Sequence, residues 1–395
     1  MKILYIAPNT GHQLAYVDAI YREMHDITVL TDNLSFHFRR LSVPTFENSY
    51  KKVKGPFFLG LLRKIVCSYP VSDEIRIYIN KLIDKSYIFY LKRLRSENFD
   101  VVISYRDMGL EVISDYKKKG TKWIVDEVNT HPDFLIKILK REEKFLKIKG
   151  GVFFDQERIS RIKKAYQESD AILIPSNHVY KTLKKRLKKD QKFIVNPYGC
   201  PYPIFKKNIT DLEKIKLVCV ARLHYRKGIK HLLEVFEKID HIYPHKYDLK
   251  IIGASSKSKG FDYISKKNNI NFLGIQTKDN IKIIFKHSHI FILPTLEESQ
   301  SLVIGEALSH GLPVISTPFS GALDYILDKD KKDFLQKNYS IQIINPHNLT
   351  QFSDAILNLS NKKNYINASN YAISIAAKNT WLKSGQNLVK KLELI

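Results

Sequence analysis

The chain has 395 residues, 44% of them hydrophobic and 27% charged, which suffices for two folded domains and excludes a disordered chain. It carries 65 Lys and Arg against 40 Asp and Glu, a net charge of +25, so its field suits anionic partners: phosphorylated ligands, nucleic acid or an anionic membrane. No apolar run approaches the roughly 20 residues of a membrane-spanning helix, and three scattered cysteines (Cys67, Cys200, Cys219) exclude a disulfide framework or a cysteine zinc site.

In chain order, Lys2–Ala7 (KILYIA) reads as a buried strand. It enters its apolar run at once, without the longer core and cleavage site of a signal peptide, so a cytoplasmic chain is expected. Pro8–Gly11 is a loop and His12–Met24 a helix. Strands are expected at Ile27–Leu30, Val101–Ser104, Trp123–Val125 and Ala171–Pro175, then a helix at Asn177–Leu187 and a strand at Phe193–Asn196. Three prolines and a glycine punctuate Asn196–Asn208 (NPYGCPYPIFKKN), as an interdomain linker would. A second series follows at Ile215–Val220, Leu249–Ile252, Asn271–Leu273, Ile290–Leu293 and Pro313–Ser316.

Strands separated by helices predict parallel sheets, and two such series predict an α/β protein of two doubly wound, Rossmann-like domains facing a central cleft. The first domain is expected over 1–200 and the second over 201–375, with 376–395 a helix that packs back on the first. Ligands of such folds bind at the carboxyl ends of the strands. Gly11 stands alone where a GxGxxG would follow the first strand, and no GxxxxGK[ST] occurs. A dinucleotide dehydrogenase and a P-loop NTPase are thereby disfavoured.

Two segments carry chemistry. Phe291–Ile315 reads strand, loop, helix, strand, with the helix over Ser301–His310 capped by Gly311 and stopped by Pro313. The helix is apolar nearly all round, so Glu306 within it needs a partner or a ligand. Glu298 lies just before it, and a helix start flanked by Ser299 and Ser301 can receive an anion. A structural Glu306 and an exposed Glu298 explain the same pattern equally well. The second segment, Leu217–Phe236, places Arg222 at a strand end and Lys227-Gly228 at a helix start, where two cations can neutralise one phosphate chain. Arg226 and Lys230 read equally well as surface charge.

These segments together resemble the retaining glycosyltransferases of the GT-B fold, the group 1 or family 4 type. The resemblance runs in order through SDAILIPSNHVYKTL, VNPYGCPYPIF, VARLHYRKG, LKIIG, NFLG, Glu298-x7-Glu306 and SGALDYI. It implies that Arg222 and Lys227 hold the donor diphosphate, that Glu298 contacts the donor sugar and that Glu306 binds the donor ribose. It implies further that the backbone of Ser299, Gln300, Ser301 and Leu302 faces the sugar and diphosphate, and that Gly11 lies near donor phosphate and acceptor. His131 (VNTHPDF) resembles a histidine beside the reacting sugar, and reads as readily as a loop histidine that caps a helix. His12 is a helix-start residue on the same cleft. Where many members carry Glu-Gly-Phe-Gly, this chain has Glu298-Ser299-Gln300-Ser301, so the donor pocket differs in shape. Glu297 stands beside Glu298, and the spacing to Glu306 favours Glu298.

The resemblance implies transfer of a hexose-type unit with retention of configuration, from a nucleoside-diphosphate sugar to a glycan or lipid-linked glycan, with no metal or other cofactor. The acceptor is expected on the first domain. Lys51–Val66 (KKVKGPFFLGLLRKIV) mixes apolar and basic residues as a membrane-surface patch would, and as an ordinary core element would too. Residues 137–192, with 17 Lys and Arg against 7 Asp and Glu, extend the basic surface, although solvated helix faces account for many of these lysines. The expected place is the cytoplasmic face of the cell membrane, as a peripheral protein. The rivals are a sugar-nucleotide epimerase of the same fold, a basic nucleic-acid- or membrane-binding protein without catalysis, and an inactive partner subunit. No nucleic-acid motif supports the second.

Overall fold

The structure is a computed structural model that describes residues 1–8, 11–23, 25–32, 53–56, 59–60, 62, 73–148, 154–203, 212–254, 269–326 and 340–395. Seven strands, β1 (Lys2–Ile6), β2 (Asp26–Leu30), β3 (Val53–Lys54), β4 (Val101–Tyr105), β5 (Lys122–Asp126), β6 (Ala171–Ile174) and β7 (Lys192–Val195), form one parallel sheet in the order β3-β2-β1-β4-β5-β6-β7. Its helices are α1 (Gly11–Arg22), α2 (Asp73–Arg93), α3 (Leu110–Lys117), α4 (Pro132–Phe145), α5 (Gln156–Glu168) and α6 (Asn177–Lys184). The strands are continuous apolar runs because both faces are covered. Alternation sorts their side chains: Ile3 and Tyr5 of β1 pack with α1 on one face, Leu4 and Ile6 with α2, α3, α5 and α6 on the other.

The second sheet has six parallel strands, β8 (Ile215–Val220), β9 (Tyr247–Ile252), β10 (Ile270–Phe272), β11 (Ile290–Leu293), β12 (Val314–Ser316) and β13 (Ile341–Ile343), in the order β10-β9-β8-β11-β12-β13. Helices α7 (Ile229–Ile242), α8 (Lys278–Lys286), α9 (Leu302–Ser309), α10 (Leu349–Leu359), α11 (Lys362–Lys378) and α12 (Trp381–Leu392) follow. The strand order reverses between β1 and β4 in one sheet and between β8 and β11 in the other, and such switch points are where ligands bind.

The two domains are joined twice. The chain leaving β7 runs beside the chain entering α12: Cys200 N donates to Asn379 O at 2.6 Å, and Trp381 N to Cys200 O at 3.3 Å. A Cβ at Gly199 would fall 2.3 Å from the Trp381 nitrogen, so only glycine permits this approach. Beyond it, Leu388, Val389 and Leu392 of α12 enter the core of the first domain beside Tyr16, Val17 and Ile20 of α1.

The doubly wound architecture expected from the strand–helix alternation is present, and β8 and β11 cover the residues expected. Helix α1 runs Gly11–Arg22 rather than His12–Met24. Most of the Lys51–Val66 patch, and the end of the expected linker, lie outside the described residues. No described helix is long and apolar enough to cross a membrane.

Gly228, at the start of α7, has φ +66°, and a Cβ there would lie 2.0 Å from the Pro294 carbonyl oxygen. It lets the loops after β8 and β11 touch. Gly228→Ala is expected to cost more than about 1 kcal/mol in urea unfolding, because both the backbone conformation and the contact disfavour a side chain. Gly120→Ala, at φ +88° with open space around it, should cost less. Equal losses would show that the Pro294 contact contributes nothing.

Candidate functional site

The site grows from the carboxyl ends of β8 and β11. The loop after β8 carries Arg222, exposed, and then a single 3-10 turn over Tyr225–Lys227. His224 opens that turn, its Nδ1 accepting from Arg226 N at 3.0 Å. Burial and the cations Arg226, Lys227 and Arg222 push the His224 pKa down to about 4, so the ring is a neutral acceptor at pH 7. The loop after β11 is laced to this turn: Leu296 N donates to Arg226 O at 2.8 Å, and Thr295 Oγ1 to the same oxygen at 3.2 Å.

Two charge pairs cross between the loops. Lys227 is buried and ion-paired with Glu298, which is half-buried. Arg226 Nη1 lies 2.8 Å from Glu297 Oε2. Glu297 is fully buried, and its other oxygen accepts from Thr130 Oγ1 at 2.6 Å, across the domain boundary. Burial pushes the Glu297 carboxyl up, but Arg226 and Thr130 outweigh it and hold the group below the usual carboxylate range. Burial, reinforced by Arg226, pushes the Lys227 ammonium well below the usual lysine range. Arg222, Arg226 and Lys227 thus concentrate positive charge at one strand end, and Glu297 and Glu298 pair with two of them. In the sequence Arg226 reads equally well as surface charge, and the spacing favours Glu298 over Glu297.

The segment between Glu298 and α9 forms a seam with the first domain. Ser176 Oγ donates to Ser299 O at 2.6 Å, Tyr198 N to Gln300 Oε1 at 2.7 Å, and Leu302 packs on the first domain's core. The amides of Glu298 and Ser301 are spent within the chain, on Phe319 O (2.8 Å) and Ser320 O (3.1 Å). Those of Ser299, Gln300 and Leu302 meet no acceptor among the described residues. Gly311 has φ +68° just past α9. Glu306 is half-buried rather than buried; burial raises its carboxyl, and Lys278 and Lys282 of α8 pull the other way.

On the first domain, Gly11 starts α1 beyond the end of β1. His12 beside it is buried, with Nε2 3.0 Å from Asp126 Oδ2 and its ring stacked on Tyr198 at 4.8 Å. The same oxygen of Asp126 accepts from Tyr5 Oη (2.9 Å) and Gln13 Nε2 (3.0 Å). Next to it, buried Glu127 binds Arg106 and Tyr166. These two carboxylates carry no expected role from the sequence, although the run KWIVDE ends in an adjacent acidic pair. His131 is buried and opens α4, its Nδ1 accepting from Asp133 N at 3.2 Å, which is the capping role. Burial pushes its pKa down to about 4. Three buried polar atoms in this region, Gln13 Oε1, His178 Nε2 and Gln300 Nε2, have no hydrogen-bond partner among the described residues. A polar ligand would satisfy such atoms.

Two Rossmann-like domains with a basic strand end and a carboxylate-bearing loop along their seam define a GT-B protein. The fold matches a sucrose-phosphate synthase from Thermosynechococcus elongatus with a TM-score of 0.68 at 13% identity, over 100% of this chain and 98% of that one. Residues 214–362, in the carboxyl-terminal domain, match the family model of the glycosyl transferases group 1. An uncharacterized glycosyltransferase of Haemophilus influenzae is 26% identical over 162 residues, which is 38% of this chain and 45% of that protein. The phosphatidylinositol N-acetylglucosaminyltransferase gpi3 subunit of Schizosaccharomyces pombe is 32% identical over 111 residues, 27% of this chain and 24% of that one. The aligned part therefore spans less than half of either relative.

Proposed function

We propose that this chain is a retaining glycosyltransferase that moves a sugar from a nucleoside-diphosphate sugar to a glycan or lipid-linked glycan, in surface polysaccharide or glycolipid synthesis. The observation that carries the reading is the partly buried charge lattice at the ends of β8 and β11, where Arg226 and Lys227 pair with Glu297 and Glu298 beside exposed Arg222. A departing diphosphate needs positive charge fixed in place before it leaves, and a dry loop junction supplies it most strongly. In the transfer, the bond from the anomeric carbon to the diphosphate oxygen breaks and the acceptor oxygen takes its place on the same face. The acceptor proton passes to the leaving phosphate. Arg222 and Lys227 hold the diphosphate; Glu298 and the backbone amides of Ser299, Gln300 and Leu302 meet the sugar; Glu306 accepts from the ribose. His131 stands beside the reacting sugar, Gly11 lies near donor phosphate and acceptor, and His12 faces the same cleft. No metal takes part in this step.

The acceptor is lipid-linked in this reading. The S. pombe relative is named for a phosphatidylinositol acceptor. Lys137, Lys140, Arg141 and Lys144 of α4, with Lys181 and Lys184 of α6, are all exposed, and each is worth about 1 kcal/mol near an anionic leaflet. The protein would then work at the cytoplasmic face of the membrane, as a peripheral protein.

The test is a thermal-shift panel of UDP, GDP, ADP, CMP and their common sugars. One diphosphate at a hundredfold excess over its Kd should add about 2.7 kcal/mol of stability. Glu306→Gln should weaken that ligand about tenfold with the unliganded melting temperature unchanged. A flat panel, with stabilisation by nucleic acid alone, would overturn the reading.

A further inference from the structure

Glu142 projects from α4 of the first domain toward the second. It is 2% exposed, and its Oε1 lies 2.9 Å from Nε2 of His231 on α7, itself 2% exposed. Its Oε2 lies 3.5 Å from Nε2 of His347, in the loop before α10. The three ligating atoms all fall within 4.8 Å of one another. Ligands of a tetrahedral zinc ion, at 2.0–2.1 Å from the metal, are about 3.4 Å apart. Phe145, one helical turn on from Glu142, puts its ring 5.9 Å from His231 and 5.2 Å from His347, so the cluster has an apolar wall.

We propose that Glu142, His231 and His347 bind a divalent transition-metal ion of the zinc class, which ties the two domains together outside the transfer cleft. Two imidazoles and one carboxylate are a complete three-ligand set for zinc with a fourth position left for water. His347 is more than a third exposed and lines an open pocket with Asn345, Asn348 and Thr350, so that position is reachable from solvent. The ion would neutralise a carboxylate that otherwise sits buried between two rings, with exposed Arg141 the neighbouring cation. Along α4 Glu142 stands about 16 Å from His131, and none of the three ligands has a part in the proposed transfer. It joins α4 to α7 and to the β13–α10 loop, and Tyr225, which donates to Glu143 alongside, reinforces the same junction. The ion would therefore set how firmly the cleft is held closed.

The measurement is calorimetric titration of tag-free, chelator-treated full-length protein with ZnCl2, with MgCl2 as the unsuitable ion. One zinc per chain with Kd below about 1 μM is expected, and no magnesium. His347→Ala removes an exposed ligand without opening the core, and should weaken zinc about a hundredfold or more while the chelator-treated protein melts as before. Cobalt should give the strong visible bands of a tetrahedral ion in the wild type and lose them in His347→Ala. The chain has 13 histidines, so scattered adventitious sites are the alternative. Stoichiometry well below one, or equal affinity in wild type, His347→Ala and Glu142→Gln, would overturn the proposal.

Discussion

Arg226→Ala is expected to destabilise the chain by about 3–5 kcal/mol, the cost of stranding a buried carboxylate. Glu297 has no water to fall back on, and its charge is balanced chiefly by the guanidinium 2.8 Å away. The Thr130 hydroxyl contributes a charge-assisted hydrogen bond, so Thr130→Val should cost less, about 1.5–3 kcal/mol. The pH dependence separates this account from a loss of packing. In the wild type the Glu297 pKa is lowered, so its contribution to stability is present above the ordinary value of 4.5 and is lost as pH falls through the lowered one. Without Arg226, burial dominates and the folded pKa is raised. The protonated form then suits the fold, and the penalty fades as pH falls below that raised value. Urea unfolding should find the gap between wild type and Arg226→Ala widest at pH 7.5 and clearly narrower at pH 5. A gap that is the same at both pH values would mean that Arg226 acts through its aliphatic stem.

The frame of this protein was legible because buried parallel strands are written as unbroken apolar runs. β8 and β11 are the clearest, and the loops at their ends could be placed for that reason. β3, of two residues, is too short to stand out against the loops around it. Gly311 was legible as a cap because helix termination is local chemistry. The site was legible only in part. Arg226 and Lys227 are adjacent, and local spacing says that both lie at a strand end but not which one turns inward. Glu297 is buried because Thr130, 167 residues away in the chain, comes to meet it, and no periodicity encodes that. His131 precedes a proline at a helix start, and the structure uses it as a cap. Glu306 looked buried because its helix is apolar nearly all round, yet its own position faces the edge where Lys278 and Lys282 approach. The Glu142–His231–His347 cluster left no mark in the sequence, since its members come from three separate elements.

Lys227→Met is expected to lower turnover about 10²- to 10³-fold while leaving the fold equally or more stable. Burial and Arg226 push the ammonium well below the ordinary lysine range. A lysine with a lowered folded pKa costs stability at every pH below its unfolded value, so an apolar side chain of similar length relieves that cost. Glu298, the partner left behind, keeps enough exposure to hydrate. What is lost is the charge that meets the diphosphate. An arriving diphosphate would compete with Glu298 for the ammonium and favour its protonated form. Affinity for the diphosphate should therefore fall as pH rises from 6.5 to 8.5 in the wild type by more than in Lys227→Met, the difference removing the ligand's own titration. Titration calorimetry at both pH values, turnover with the donor from the panel, and urea unfolding give the three readings. Turnover within threefold of the wild type would sink the clamp assignment. A collapse of stability would instead make the Lys227–Glu298 pair a strut of the loop junction, and the positive charge for the leaving group would then rest on Arg222.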